Sequence, residues 1–182
     1  VTPRRLSLLT EELIQLLRHI RPPGVDVARP QVHTDRILPL LGQALGDAAR
    51  LAEFDALLLY ANHGRIEPHQ WTNLENYVEN GGGFVPVHCA SWCFGNEPGF
   101  DQLVGGRFAT HKTGTFTAKV VDPKHPAMAG VKEFETWDET YKHRNHNKKD
   151  RQVLTVREVA EKGDNITEPE PWTWVRTQGK GL

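Results

Sequence analysis

The residues best placed for chemistry follow a short apolar segment near the middle of the chain. His88 comes directly after the apolar residues 84–87, and the small residues Ala90 and Ser91 permit a tight turn into the next element. Ligands of open α/β sheets gather at the carboxyl ends of strands, where such turns lie. A histidine at this point is a candidate general base. The sequence therefore predicts a functional site around the turn after the strand 83–88, with His88 at its centre.

A second polar segment follows the preceding apolar run, FDALLLY at residues 54–60. It offers an amide, an imidazole and flexible backbone in succession: Asn62, His63 and Gly64. If the two strands are parallel neighbours, this segment reaches the same edge of the sheet as His88 and Cys89. His111 follows the next Gly-Gly turn, at residues 105–106. We therefore predict that the histidines of these three segments meet in one cleft at that edge.

The elements that position these residues are predicted from apolar spacing and turn signals. Pro68 suits the first position of a helix, and the run NGGG at residues 80–83 ends that helix before the next strand. The pattern predicts a parallel strand, helix, strand unit, in which the run at residues 54–60 is typical of a strand covered on both faces and the strand before His88 is buried. Helical spacing also predicts an amphipathic helix from Leu6 to Ile20 and a second helix over residues 37–51.

Beyond Trp92 the sequence predicts a mixed or antiparallel extension. Its short strands are expected at Thr115–Val121, Phe134–Trp137, Gln152–Arg157 and Trp172–Arg176. The polar residues 142–150 predict a loop in which three basic side chains are solvated: His143, His146 and Lys148. No strand is predicted before the first helix, and none closes the sheet at the other end. We therefore expect one domain over residues 1–182 that lacks terminal strands.

Composition excludes several classes of function. The 182 residues carry 22 Lys and Arg against 23 Asp and Glu, a net charge of −1, and no basic stripe suits nucleic acid. No apolar run approaches the ~18 residues that a membrane-spanning helix needs, so no membrane insertion is expected. Cys89 and Cys93 match neither a disulfide framework nor a CxxC motif, and they leave the cellular compartment open. Assembly into a homo-oligomer is also left open.

Five segments together resemble one family: YANHGRIEPHQWTNLENYVENGGGFVPVHCASWCF, LVGGRFATHKTGTF, VVDPKHPAMAGV, FETWDETY and EPWTWVRTQGKG. They are similar to the trehalose-utilisation (ThuA-like) family, within the class I glutamine amidotransferase-like fold. The resemblance covers about residues 54–182. It implies a flavodoxin-like α/β three-layer sandwich with a strand-to-helix elbow at His88.

The resemblance also implies carbohydrate chemistry, because the family is linked to trehalose and related sugars, including steps that involve 3-keto-sugars. Removing a proton next to a carbonyl needs a base, and the resulting enolate needs a donor. The candidate catalytic residues of these types are His88, Glu139, His63, His111 and Tyr141. The candidate substrate contacts are Asn62, Gly64, Cys89, Trp137 and Trp174. We expect a lyase, hydratase or isomerase that acts on a keto-sugar, with His88 and Glu139 near the reacting carbon.

Two other functions stay open at this point. One is a non-catalytic sugar-binding or docking module of a larger exported multidomain protein, in which these histidines are structural or solvated. The other is a glutamine amidotransferase, whose elbow reads Gly-x-Cys-x-Gly with cysteine as nucleophile. Here PVHCA at residues 86–90 puts His88 at that position and Cys89 one residue late, which disfavours glutamine hydrolysis. Cys93 is expected to be a small buried hydrophobe.

A divalent metal site is a further use of the same side chains. Neutral imidazoles and a carboxylate suit zinc or a similar ion, and the candidate ligands are His63, His88 and His111. Their scattered positions give no spacing that decides between metal binding and catalysis. The expected partner is a small-molecule carbohydrate. Localisation is left open between the bacterial cytoplasm and export as part of a larger chain.

Overall fold

The computed structural model describes residues 6–8, 42–159 and 166–182, and its mixture of helices and sheets confirms the predicted α/β class. These residues belong to two compact units. The first unit runs up to Phe100 and includes Gln178–Leu182, and the second is Asp101–Thr177. No helix in the described ranges is long and apolar enough to cross a membrane. A single domain over residues 1–182 stays a prediction.

Parallel strands form the sheet of the first unit. In the described residues its order is β1 (Leu6–Leu8), β2 (Ala56–Leu59) and β3 (Gly83–Pro86). Before β2, residues 42–46 and helix α1 (Ala48–Leu51) are helical, as the sequence predicts for this part of the chain. Helix α2 (Pro68–Glu79) connects β2 to β3. The predicted parallel strand, helix, strand unit is therefore confirmed.

Helix α2 begins and ends where its sequence signals predict. Pro68 occupies the first turn, and Glu67 and Gln70 form a reciprocal capping box with the backbone there. The helix ends at Glu79 with Asn80 as its C-cap, and Gly81 then adopts a φ of +114°, which a residue with a side chain rarely adopts. The apolar side chains of Leu74 and Val78, four positions apart on the helix, are buried.

Two expectations for the first sheet are wrong. Leu6, predicted to lie on an amphipathic helix with no strand before it, lies instead in β1, whose backbone pairs with β2 in parallel. The rest of that predicted helix lies outside the described residues. A three-residue strand has too little pattern of its own, and its pairing with a segment some fifty positions later decides its conformation.

The second correction concerns the faces of the strands. Leu57 and Leu59 of β2 are buried, but Val85 of β3 is 45% exposed, so β3 is not covered on both faces. An apolar run means that both faces of a strand carry side chains that are favourable to bury. Whether anything covers each side is decided by elements from elsewhere in the chain.

Antiparallel strands form the second unit, as the sequence predicts. Helix α3 (Pro98–Val104) precedes six strands in the described residues: β4 (Arg107–Thr110), β5 (Thr113–Val120), β6 (Phe134–Glu139), β7 (Lys142–Arg144), β8 (Arg151–Arg157) and β9 (Glu170–Arg176). Four of these strands form one sheet in the order β6-β5-β8-β9. All four predicted strands are found in the four-stranded sheet. The sequence missed β4 and β7, which pair with each other and are only four and three residues long.

The two faces of the four-stranded sheet differ in polarity. On one face Phe116 and Ala118 are buried, and the Trp172 ring lies 4.8 Å from the Phe116 ring. The guanidinium of Arg157, which is fully buried, lies 5.9 Å from the centre of the same Phe116 ring. Alternate residues of β5 point the other way, and there Thr115 is exposed. The sheet therefore packs one face and leaves part of the other in solvent.

The predicted solvated loop is partly wrong, because His143 is buried. Its backbone N–H and its Nδ1 both donate to Oε1 of Glu170, each at 3.0 Å. His146 Nε2 lies 3.7 Å from the same oxygen, and Arg151 donates to His146 Nδ1 at 3.1 Å. Only Lys148 is exposed as expected. The polarity of the segment indicated solvent, whereas a carboxylate 27 residues away supplies a partner inside the unit.

This buried cluster shifts two pKa values in the same direction. Burial lowers the pKa of His146, and the charge of Arg151 adds to that effect against the opposing charge of Glu170. Burial alone would raise the pKa of Glu170. The hydrogen bonds from His143 outweigh burial, so the pKa of Glu170 lies below its ordinary value.

We predict that acid weakens this fold through both groups. Because the pKa of His146 is lower in the folded protein, the unfolded chain binds more protons below about pH 6.5, and the free energy of unfolding falls there with falling pH. The contribution of Glu170 is present above about pH 4.3 and is lost as the pH falls through its lowered pKa. Urea unfolding midpoints measured from pH 7.5 to pH 4 check this expectation.

His146→Gln should reduce the fall in the free energy of unfolding between about pH 7 and pH 5, since glutamine does not titrate. His69→Gln is the matched control, because His69 is exposed on α2 and should leave the decline unchanged. If the free energy of unfolding fell equally with pH in the wild type and in His146→Gln, the acid sensitivity would not come from His146.

Candidate functional site

The turn after β3 holds a histidine in an unusual backbone conformation. His88 has a φ of +53° and begins a 3₁₀ helix, His88–Trp92, directly after the strand. Residues other than glycine rarely adopt a positive φ, although histidine does so more often than most. Its side chain is exposed at the carboxyl end of β3. Strained residues of this kind cluster at functional sites, where the surrounding structure holds them.

Parallel pairing brings the end of β2 beside this turn. Leu59 lies opposite Pro86, and the N–H of Val87 donates to the Leu59 carbonyl at 2.8 Å. The next residue along β2, Tyr60, has its ring 6.0 Å from the His88 ring. The two predicted segments therefore lie at one edge of the first sheet.

A buried cysteine fixes the segment that follows β2. Cys93 Sγ donates to the carbonyl of Ala61 at 3.0 Å and accepts from the N–H of His63 at 3.3 Å. The N–H of Phe94, another residue with positive φ, donates to the carbonyl of His63 at 2.8 Å. Cys93 is buried as predicted, and in addition it joins the strand end to the turn.

The remaining predicted residues of the first unit lie around this turn. The Asn62 side chain is exposed, and the half-buried His63 ring meets the Phe94 ring edge-on at 6.3 Å. A Cβ on Gly64 would lie 3.6 Å from the Trp92 ring, so the glycine lets that indole lie against the backbone. Cys89 is half-buried in the 3₁₀ helix, and the two cysteines of the chain form no disulfide.

Three other predicted catalytic residues come together in the second unit. His111 Nε2 lies 3.7 Å from Glu139 Oε1, and the His111 ring lies 5.7 Å from the ring of the buried Tyr141. Phe108 packs on Tyr141 at 4.6 Å. The N–H of Thr140, directly after β6, donates to the carbonyl of Lys112, directly before β5, at 2.7 Å. This bond holds the adjoining ends of β5 and β6 together. Both side chains of this contact are partly exposed, so solvent weakens any electrostatic interaction between them.

The predicted cleft of three histidines stays a prediction. His63 and His88 belong to the first unit, and His111 belongs to the second. In residues 6–8, 42–159 and 166–182, no group of three or more His, Cys, Asp and Glu side chains is arranged to hold a metal ion. A metal held by the three histidines likewise stays a prediction.

The two candidate tryptophans have different surroundings. Trp174 donates from its indole nitrogen to the Val104 carbonyl at 2.7 Å, and the Arg151 guanidinium lies 5.7 Å from its ring centre. Its ring also meets the His143 ring edge-on at 5.3 Å. Trp137, in contrast, is 70% exposed on β6. Trp174 therefore packs within the second unit, while Trp137 presents its ring to solvent.

Several residues around the His88 turn and in the second unit were not predicted to lie where they do. Tyr60 ends the apolar run before Asn62, and knowledge of the strand register would have placed it beside His88. Trp92, at the end of the 3₁₀ helix after β3, is 42% exposed, which no local pattern indicated. The pairing of His143 with Glu170 had no local signal, because the two residues are far apart in sequence.

A cleft of about 930 Å³ lies at the opposite edge of the first sheet, at the amino ends of β2 and β3. Asp55, Tyr77 and Lys180 are among its lining residues. The Tyr77 hydroxyl donates to the Phe54 carbonyl at 3.0 Å, and burial raises the pKa of Tyr77. None of the predicted site residues lines this cleft.

Comparisons with known proteins identify the fold. Over 96% of its length the chain superposes on a ThuA-like protein from Bacteroides uniformis, with a TM-score of 0.66 and 18% identity, covering 78% of that chain. Over 71% of its length it superposes on a ThuA-like protein from Parabacteroides merdae, with a TM-score of 0.62 and 17% identity, covering 58% of that chain. Among curated proteins, none matches the chain.

The fold of these solved structures is consistent with the predicted flavodoxin-like, glutamine amidotransferase-like sandwich. A family model described as trehalose utilisation matches residues 31–182, which is most of the chain. At the level of the family, the protein is therefore carbohydrate-related. Because this family model matches most of the chain and the fold agrees with it, the chain belongs to the ThuA family.

Proposed function

We propose that this ThuA-family protein acts on a keto-sugar as a lyase, hydratase or isomerase, with His88 as the general base. The observation that carries the proposal is the φ of +53° at His88, on the carboxyl edge of the first sheet. A turn that needed only a left-handed backbone would be served better by glycine. An imidazole at this point, exposed to solvent, therefore supports a chemical role.

The chemistry follows from what an imidazole can do beside a carbonyl. A neutral imidazole removes a proton from the carbon next to the keto group, and the electrons of the broken C–H bond move into an enolate. When that carbon bears a hydroxyl, transfer of the hydroxyl proton to the former keto oxygen and return of the first proton to the former carbonyl carbon give the isomeric keto-sugar. Departure of a β-substituent with its bonding electrons gives an α,β-unsaturated keto-sugar instead. The Tyr60 phenol and the Asn62 amide, both at the same edge, are of types that can donate to the enolate oxygen.

Glutamine hydrolysis fits this geometry less well. The residue with positive φ is His88, and Cys89 comes after it within the 3₁₀ helix, where its side chain is half-buried. A nucleophile at an elbow acts from the turn itself, because the strained turn exposes its reactive atom. The position of His88 therefore favours proton transfer over attack by a thiolate.

Roles for the three residues of the second unit are proposed on their own contacts. Glu139 lies 3.7 Å from His111 and so can orient its imidazole. Tyr141 is buried beside the same histidine and offers a phenol hydroxyl. Glu139→Gln tests this assignment, since it keeps the shape of the side chain and removes its charge.

We predict that His88→Ala lowers kcat for a 3-keto-disaccharide by about 10²- to 10⁴-fold and changes KM little, because a base acts in the transition state. Solvent deuterium incorporation next to the carbonyl, followed by NMR, measures the proton transfer directly. His69→Ala, an exposed histidine on α2, is the matched control and should keep the wild-type rate.

Unchanged exchange in His88→Ala would reject the catalytic assignment and leave a non-catalytic sugar-binding or docking module of a larger exported protein as the alternative. A metal role gives a different pattern. A chelator would then stop exchange in the wild type, and added zinc or manganese would restore the wild type but not His88→Ala.

The proposal also predicts a conflict between stability and function at position 88. His88→Gly should keep or raise the free energy of unfolding, by up to about 1 kcal/mol, because glycine adopts positive φ without strain. His88→Val should lower it by about 1–2 kcal/mol, since a β-branched residue fits that conformation poorly. Both variants should fail to catalyse deuterium incorporation next to the carbonyl of the sugar, because neither has an imidazole at position 88. Urea unfolding of the two variants checks the order, and a more stable valine variant would show that the turn is not held at positive φ.

A further inference from the structure

We propose that the exposed face of β5 and β6 in the second unit binds a neutral sugar ring, with Trp137 as the stacking platform. Trp137 is 70% exposed, although tryptophan is among the most buried side chains on average. Stacking on a ligand would remove this large apolar surface from water. The proposal rests on the proposed function only for the choice of a sugar as ligand.

The neighbours of Trp137 suit a sugar better than a protein surface. Strand register places Thr115 directly opposite Trp137, and Glu135 and Glu139 lie two positions to either side on the same face. Their partners on β5 are Thr117 and Thr113. Trp137 is thus the one apolar side chain among the six paired residues of this face. A protein interface core would carry several apolar neighbours, whereas a sugar offers one C–H face and many hydroxyls.

Charge narrows the class of ligand further. Two carboxylates, Glu135 and Glu139, flank the indole, and the Lys of this face of β5, Lys119, lies 3.5 Å from the carboxylate of Glu158. Carboxylate oxygens accept hydrogen bonds from sugar hydroxyls, and threonine hydroxyls both donate and accept them. Glu135 repels phosphate groups, and Lys119 already has a carboxylate partner in Glu158, so the face favours a neutral sugar over a sugar phosphate or a nucleic acid.

The opposite side of the same strand supplies a matched control. Phe134 is 50% exposed and pairs with Ala118, which is on the packed face of the sheet. Phe134 and Trp137 are three positions apart, so their side chains leave β6 on opposite faces. Removing the Phe134 ring deletes a similarly exposed aromatic from β6 without touching the Trp137 face.

The test measures binding of trehalose to the full chain by saturation-transfer NMR and calorimetry. Wild type should bind, and Trp137→Ala should weaken binding by about tenfold or more, while Trp137→Tyr keeps part of it. Thr115→Val should weaken binding a few-fold through a lost hydrogen bond. Phe134→Ala should bind as the wild type does. Circular dichroism of each variant confirms that the fold is kept.

Absence of trehalose binding by the wild type, or equal affinities for wild type and Trp137→Ala, would overturn the proposal. So would an equal loss in Phe134→Ala and Trp137→Ala, which would indicate a general effect on β6. Trehalose carries no keto group, so its binding at this face is measured independently of the proton exchange that tests His88. Failure of the keto-sugar exchange experiment therefore leaves this result standing, and failure here leaves the role of His88 untouched.

Discussion

The parallel pairing of β2 with β3 is the constraint on which the candidate site depends. Val87 donates to Leu59 at the last rung of this pairing, and the chain leaves both strands at the same edge. Tyr60 and His88 become neighbours only because the register is fixed there. A shift by one residue would turn each side chain to the other face of the sheet.

Hydrogen bonds beyond the strands then hold a conformation that is unfavourable by itself. The thiol of Cys93 joins Ala61 to His63, and the amide of Phe94 binds the carbonyl of His63. These contacts fix the segment after β2 and the far end of the 3₁₀ helix against each other. The positive φ of His88 is tolerated because the surrounding bonds leave the turn few alternatives.

The second unit is organised by side chains that alternate between a packed and an exposed face of its sheet. Its sheet packs one face around Phe116 and leaves Trp137 exposed on the other, so alternation along β5 and β6 separates core from surface. A buried carboxylate, Glu170, ties β9 to His143 of β7. The hydrogen bonds from His143 hold the pKa of Glu170 below its ordinary value, so they stabilise the unit while that carboxylate is ionised.

Local signals in the sequence determined the helix from Pro68 to Glu79, the strands on either side of it, the turn at His88 and the family. Capping, glycine breaks and apolar runs act over a few residues, so a sequence records them directly. Only the tertiary structure decided that Leu6 lies in a strand, that His143 is buried on Glu170, and that Trp137 is exposed while Trp174 is packed. These outcomes depend on partners many residues away, and no local pattern specifies which distant segment will cover a side chain.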